Sequence, residues 1–156
     1  MSPSTETATV AGGCFWPAEE LLRHRPGVLS TRVGYTGGLN AHATVENHPG
    51  HAEAVEVVFD TEVTTYRDVL EFFLQAHRAD LGPELVGSDY RSEIFYRTDE
   101  QRDIALEVIA DLDAAELWPG KAVTRVSPAG PFWPAPDEDQ RYLSRFPDDV
   151  NLLHPE

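Results

Sequence analysis

Thr7-Ala8-Thr9-Val10-Ala11-Gly12-Gly13-Cys14-Phe15-Trp16-Pro17-Ala18-Glu19-Glu20-Leu21-Leu22-Arg23 changes its hydrophobic rhythm at a pair of glycines. Residues 7–11 are β-prone. Beyond Gly12-Gly13, the apolar residues Phe15, Ala18, Leu21 and Leu22 recur at three- and four-residue intervals, which is the period of a helix. Pro17 falls in the first helical turn, where the missing N–H costs nothing, and Pro26-Gly27 stops the element. A strand therefore runs into a helix across Gly-Gly-Cys.

Working outward, Val28 to Tyr35 alternates in the manner of a strand and ends at Gly37-Gly38. A polar loop carrying His42 and His48 leads to Gly50, and Ala52 to Phe59 alternates again with Glu53 near its start. Tyr66 to His77 is read as an amphipathic helix with the stripe Val69, Leu70, Phe72, Phe73 and Ala76, capped by Thr65. Ser92 to Tyr96 reads as a short strand, and Thr98 caps a helix reaching about Ala115. Val123 to Val126 reads as a weaker strand, then Pro-rich residues lead to a helical stretch around Asp137 to Phe146. The order strand–helix–strand–strand–helix–strand predicts an α+β fold. It is the ferredoxin-like split βαβ sandwich, a mainly antiparallel sheet with helices packed on it.

The 156 residues suit one catalytic domain, 1–156, with 1–6 expected to be flexible and 149–156 a tail. With 41% hydrophobic residues there is material for a core. Twenty-seven acidic against 12 basic residues leave a net charge of -15, which repels phosphate backbones and anionic lipid. Nucleic acid and membrane surfaces are thus excluded as expected partners. No apolar run is long enough to span a bilayer, and Met1 to Ala8 lacks the basic and apolar regions of a secretory signal. One cysteine, Cys14, allows no internal disulfide and no thiolate cluster, so no metal is assigned and the cytoplasm is the expected compartment. The chain is expected to be a monomer.

Cys14 stands at the start of a helix, where unpaired N–H groups and the dipole favour an anion. A free thiol titrates near ~8.5, and this position is expected to depress it. Gly13 lets backbone approach a ligand closely, and Phe15 and Trp16 set two aromatic rings beside the sulfur. The competing reading makes Cys14 a small core hydrophobe among aromatics.

Gly13-Cys14-Phe15-Trp16 followed by Glu19-Glu20 resembles the signature of the A-type peptide methionine sulfoxide reductases. The resemblance continues, in order, through Pro26-Gly27-Val28, Val33 to Gly38, Gly50-His51-Ala52-Glu53 and Asp89-Tyr90-Arg91-Ser92. Phe132-Trp133-Pro134-Ala135, Gln140 and Tyr142-Leu143 complete it. It implies an oxidoreductase in which the Cys14 thiolate attacks the sulfur of methionine S-sulfoxide, whether free, peptidyl or in a related small sulfoxide. A thioether and a cysteine sulfenic acid result. It further implies that Phe15 and Trp16 form the methyl pocket, that Glu53 protonates the sulfoxide oxygen and that Tyr90 hydrogen-bonds it. Gly13 and His51 complete the substrate-binding set, His51 in a supporting place on the face that carries Glu53. No prosthetic cofactor is implied.

Many members carry resolving cysteines near the C-terminus, and this chain has none. An external thiol is therefore implied as reductant: a glutaredoxin- or thioredoxin-like protein, or a low-molecular-weight thiol such as glutathione or mycothiol. Two further positions depart from the family. Its Asn-Pro-Thr-Tyr segment is His42-Ala43-Thr44-Val45 here, and an acidic position before Tyr90 is Leu85. Two polar contacts to the oxygen are accordingly expected to be missing. A divergent member using the Cys14–Glu53 pair for other thiol chemistry on a small metabolite of a specialised biosynthetic pathway is the alternative. A binding module for a thioether is the third class; the Cys–Glu pair argues against it.

Overall fold

The switch at Gly12-Gly13 separates a strand from a helix as its rhythm predicts: β1 (Thr5–Ala11) ends at the pair, and α1 (Phe15–Arg23) starts after Cys14. The computed structural model describes residues 4–76, Ala79 and residues 91–146. The elements that follow are β2 (Val28–Thr36), β3 (Ala52–Asp60), α2 (Tyr66–Gln75), β4 (Glu93–Tyr96) and α3 (Asp99–Ala114). Then come β5 (Arg125–Pro128), β6 (Phe132–Pro134) and a short α4 (Tyr142–Arg145). The six strands form one sheet in the order β5-β4-β1-β3-β2-β6. Neighbours are antiparallel except β4 and β5. The architecture is a mixed α+β fold.

The helices exist because each has an apolar face to bury. Leu22 of α1, Leu70, Phe73 and Leu74 of α2 and Val108 of α3 join Val10, Val33, Val55, Val57 and Phe59 of the sheet in one cluster. Each such side chain contributes about 1.5–3 kcal/mol on burial. Both expected caps form: the Thr65 and Thr98 side chains accept from the amides of Asp68 and Gln101, three residues on. The stripe of α2 differs in detail. Tyr66 and Leu74 are buried, whereas Ala76, expected on the apolar face, is exposed past the last turn.

Three boundaries move. Thr5 and Glu6, expected to precede the ordered chain, pair with Asp60 and Phe59 and lengthen β1. The strand expected at Val123–Val126 lies at 125–128, because its register is set by β4: Glu93 faces Arg125 and Tyr96 faces Pro128. The Val123 amide is drawn outside the sheet, to the Ala79 carbonyl at 2.7 Å. The last helical stretch breaks into a single 3-10 turn at Asp137–Asp139 and α4, since Arg141 between them is left-handed, with φ 51°.

The loop from Gly37 to His51 closes on itself beside the sheet. His51 accepts the Gly38 amide on Nδ1 at 3.1 Å, so its proton sits on Nε2, which reaches the Asn40 carbonyl at 2.9 Å. A Cβ on Gly38 would lie 2.3 Å from the His51 backbone nitrogen and 2.4 Å from its ring. Backbone cannot swing aside as a flexible side chain can. Gly38→Ala is therefore expected to cost about 1–3 kcal/mol through overpacking. Urea unfolding checks this; unchanged stability would show that the loop adapts freely.

Candidate active site

Cys14 occupies the N-cap of α1 with extended backbone, φ -62° and ψ 136°. The first amide of the helix is capped by Glu53 on β3, whose Oε1 accepts the Phe15 N–H at 3.1 Å. A carboxylate at a helix N-terminus meets the positive end of the dipole. Glu53 also acts on the neighbouring Cys14 thiol, through its charge and its accepting carboxylate. The two groups singled out in the sequence, 39 positions apart, thus meet at one helix end.

This changes the state of the thiol. Burial pushes the Cys14 thiol up to about 12; the Trp16 amide pulls it down, and the charge and hydrogen bond of Glu53 and the charge of Asp139 add to the rise. The expectation of a depressed pKa is therefore corrected. The helix end does favour an anion, but the Phe15 amide serves Glu53, so that among the described residues the Trp16 amide is what favours a thiolate. The surroundings explain the desolvation. Cys14 borders a cavity of about 60 Å³ between α1 and α2 whose lining includes Pro17, Ala18, Leu21 and Phe73.

The two aromatics diverge after Cys14. Phe15 is buried, its ring 5.7 Å from that of Tyr35, which pairs directly opposite Glu53 in the β2–β3 ladder. Trp16 is half-buried. Its Nε1 donates to Asp139 at 3.1 Å, and its ring stacks on Tyr142 at 3.7 Å with 6° between the planes. The wall extends through β6, where Trp133 faces Tyr35 in register. His48 stacks on Tyr35 at 4.5 Å and His42 tilts against Trp133 at 4.8 Å. Both loop histidines pack on rings, and among the described residues no three His, Cys, Asp or Glu side chains are grouped to hold a metal ion.

The remaining predicted residues divide. Gly13 has φ +90°, a conformation that favours glycine and turns the chain from β1 into α1. His51 is spent on the loop, both ring nitrogens meeting backbone groups of Gly38 and Asn40. Val45 is 53% exposed. Tyr90 and Leu85 lie outside the described residues.

Sequence reading missed Asp139, which bonds Trp16 from 123 positions away; no local pattern marks such a contact. It also gave no role to Glu19, 1% exposed, whose oxygens accept from the Thr31 hydroxyl and the Arg141 amide, each at 2.7 Å. A charged residue on the inward side of an amphipathic helix was the signal available for it. Gln140, quoted only as part of a motif, accepts the Val33 amide at 2.8 Å and donates to the Val33 and Ala135 carbonyls. These bonds sew residues 135–142 onto α1 and β2.

The sequence model of the peptide methionine sulfoxide reductases matches residues 6–155. The peptide methionine sulfoxide reductase MsrA of Nocardia farcinica is 55% identical over 154 residues, spanning 97% of this chain and 91% of that one. The enzyme of the same name from Mycolicibacterium vanbaalenii is 60% identical over 144 residues, 90% of this chain and 85% of the relative. Among solved structures, methionine sulfoxide reductase A of Corynebacterium diphtheriae superposes with a TM-score of 0.77 at 32% identity, over 94% of this chain and 77% of that one. With a match over nearly its full length and a thiol and a carboxylate joined at one helix end, the chain belongs to the peptide methionine sulfoxide reductase family.

Proposed function

We propose that this chain reduces methionine S-sulfoxide, free, in peptides or as the corresponding group of a related small molecule, with Cys14 as nucleophile and Glu53 as proton carrier. The observation that carries this reading is the meeting of Cys14 and Glu53 at the start of α1, where the Glu53 carboxylate accepts the Phe15 amide and bears on the neighbouring thiol. As Cys14 Sγ attacks the sulfoxide sulfur, the thiol proton passes to Glu53, which delivers it to the sulfoxide oxygen. The attack forms an S–S bond, giving a sulfurane that carries the protonated oxygen. Its S–O and S–S bonds then break, the hydroxyl passing to Cys14 Sγ as a sulfenic acid and the S–S electron pair leaving with the substrate as a thioether. No proton is gained or lost overall. A raised thiol pKa suits this sequence, because the nucleophile is released only as its proton is used.

Trp16 and Phe15 are assigned to the methyl pocket. Trp16 supplies a half-exposed face and Phe15 the buried floor. Tyr90 is assigned to the sulfoxide oxygen from its place in the family motif, and Gly13 to the approach of substrate to the thiol. His51 supports by shaping the loop. Two external thiols return the sulfenic acid to a thiol, releasing water and a disulfide. A glutaredoxin- or thioredoxin-like protein or a small thiol fills that part, and no prosthetic group is required. Dependence on reduced thiols favours the cytoplasm as its compartment; among the described residues, no helix is long and apolar enough to cross a membrane. Nothing at the site favours the metabolite-specific alternative.

The fold is read further as a ferredoxin-like split βαβ plan. Its support is the inner order β4-β1-β3-β2, in which the antiparallel β3 separates β1 from β2 and β1 separates β3 from β4. One domain over 1–156 is supported by the continuous sheet and by a core cluster that reaches from Ala8 to Ala135.

Cys14→Ser is expected to abolish turnover with the thermal melt preserved. Glu53→Gln keeps a hydrogen-bonding group but carries no proton to the oxygen, so turnover with dithiothreitol should fall by roughly 10²–10⁴; wild-type rates in either variant would refute the assignments. The reaction itself is tested by mass spectrometry without reductant. One equivalent of methionine S-sulfoxide should add one oxygen to Cys14 and yield one equivalent of methionine, whereas an unmodified thiol with no methionine formed would remove the proposed function.

A further inference from the structure

Trp16 is gripped from two sides by one distant segment. The Asp139 carboxylate accepts its indole N–H at 3.1 Å, and the Tyr142 ring lies flat on it at 3.7 Å. That segment is itself pinned: the buried Glu19 of α1 takes the Arg141 amide, and Gln140 makes three bonds to Val33 and Ala135. The grip is thus built from both ends, since α1 carries Trp16 and also anchors the residues that hold it. Asp139 is partly buried, and its charge reaches Cys14, so the carboxylate borders the same cleft as the thiol. An N–H···O⁻ bond is directional, and it fixes the rotation of the indole, while the stacked ring fixes its plane.

We propose that Asp139 is a specificity-determining positioning residue, which, with Tyr142, locks the Trp16 indole so that the pocket beside Cys14 fits a methyl group and rejects a larger alkyl. This rests on the reading of Trp16 as a wall of the methyl pocket. A pocket bounded by a locked ring resists expansion, and one extra methylene in an apolar site is worth about 10–200-fold in kcat/KM. A ring freed to turn yields to the extra carbon and loses part of that discrimination. Asp139 touches neither substrate nor sulfur in this scheme and acts through the indole.

The test compares methionine S-sulfoxide with ethionine S-sulfoxide, which differs by one methylene on the sulfur, under dithiothreitol. The wild type should prefer the methyl substrate by roughly tenfold or more in kcat/KM. Asp139→Ala should cut kcat/KM for the methyl substrate more than for the ethyl one, so that the preference shrinks several-fold. Asp139→Asn, whose amide oxygen still accepts the indole N–H, should hold the wild-type preference. Tyr142→Leu, which removes the stacked ring and leaves Asp139 in place, should shrink it as Asp139→Ala does and serves if that variant does not fold. Equal losses on both substrates in Asp139→Ala and Tyr142→Leu would overturn the proposal, as would Asp139→Asn behaving like Asp139→Ala. A wild type that reduces neither sulfoxide contradicts the functional reading as well; an active wild type whose preference survives both substitutions contradicts this proposal alone.

Discussion

At the N-terminus of α1, the Glu53 carboxylate accepts the Phe15 amide beside the Cys14 thiol, so that two acidic groups meet over one helix dipole. In apolar surroundings both cannot be anionic without strong repulsion, and the favourable arrangement has one proton between them. Much of the molecule serves to bring that pair about. Gly13 turns the chain so that Cys14 falls at the helix start, and the β2–β3 ladder puts Glu53 opposite the buried Tyr35. The cavity between α1 and α2 keeps the surroundings of the sulfur apolar. The net charge of -15 works in the same direction at longer range, favouring neutral substrates over anionic ones.

The C-terminal segment illustrates how a marginal stretch of chain acquires a fixed position. α4 has only four residues and no stability of its own. It is held by side chains from elsewhere, above all the buried Glu19 and the three-bonded Gln140. A buried carboxylate with both oxygens occupied is tolerated at modest cost, whereas one left unpaired is expensive. The aromatic stack of Trp16 on Tyr142 therefore depends on polar groups behind it as much as on its own contact.

What could be read in the sequence follows the range of the interactions. The first two helices, the first three strands and their order emerge from local period, caps and glycine pairs, because α1, β2, β3 and α2 each carry a repeating apolar pattern of adequate length. β6 has three residues, two of them Trp133 and Pro134, and three positions show no alternation to detect. Cys14 was marked by its place after two glycines at a helix start, whereas Glu53 was marked by the family resemblance alone, since a glutamate in an alternating strand otherwise reads as a surface carboxylate. The sign of the thiol shift was not legible, because it depends on which group takes the first amide of α1 and on how much apolar surface closes over the sulfur. Asp139 was invisible for a related reason: a bond across 123 positions leaves no trace in a window of ten.

The shared proton is tested most directly by titrating the ultraviolet absorbance of the Cys14 thiolate in the wild type and in Glu53→Gln. Cys14 is the one cysteine, so the thiolate signal has a single source, and tyrosine ionisation is subtracted with Cys14→Ser. Buried, and with the Glu53 charge beside it, the wild-type thiol should stay protonated well above the ordinary thiol range, toward about 12. Removing that charge should bring the midpoint down, even as the same substitution slows the reductase. A wild-type midpoint at or below that of a free thiol, or one that Glu53→Gln leaves unmoved, would contradict the account.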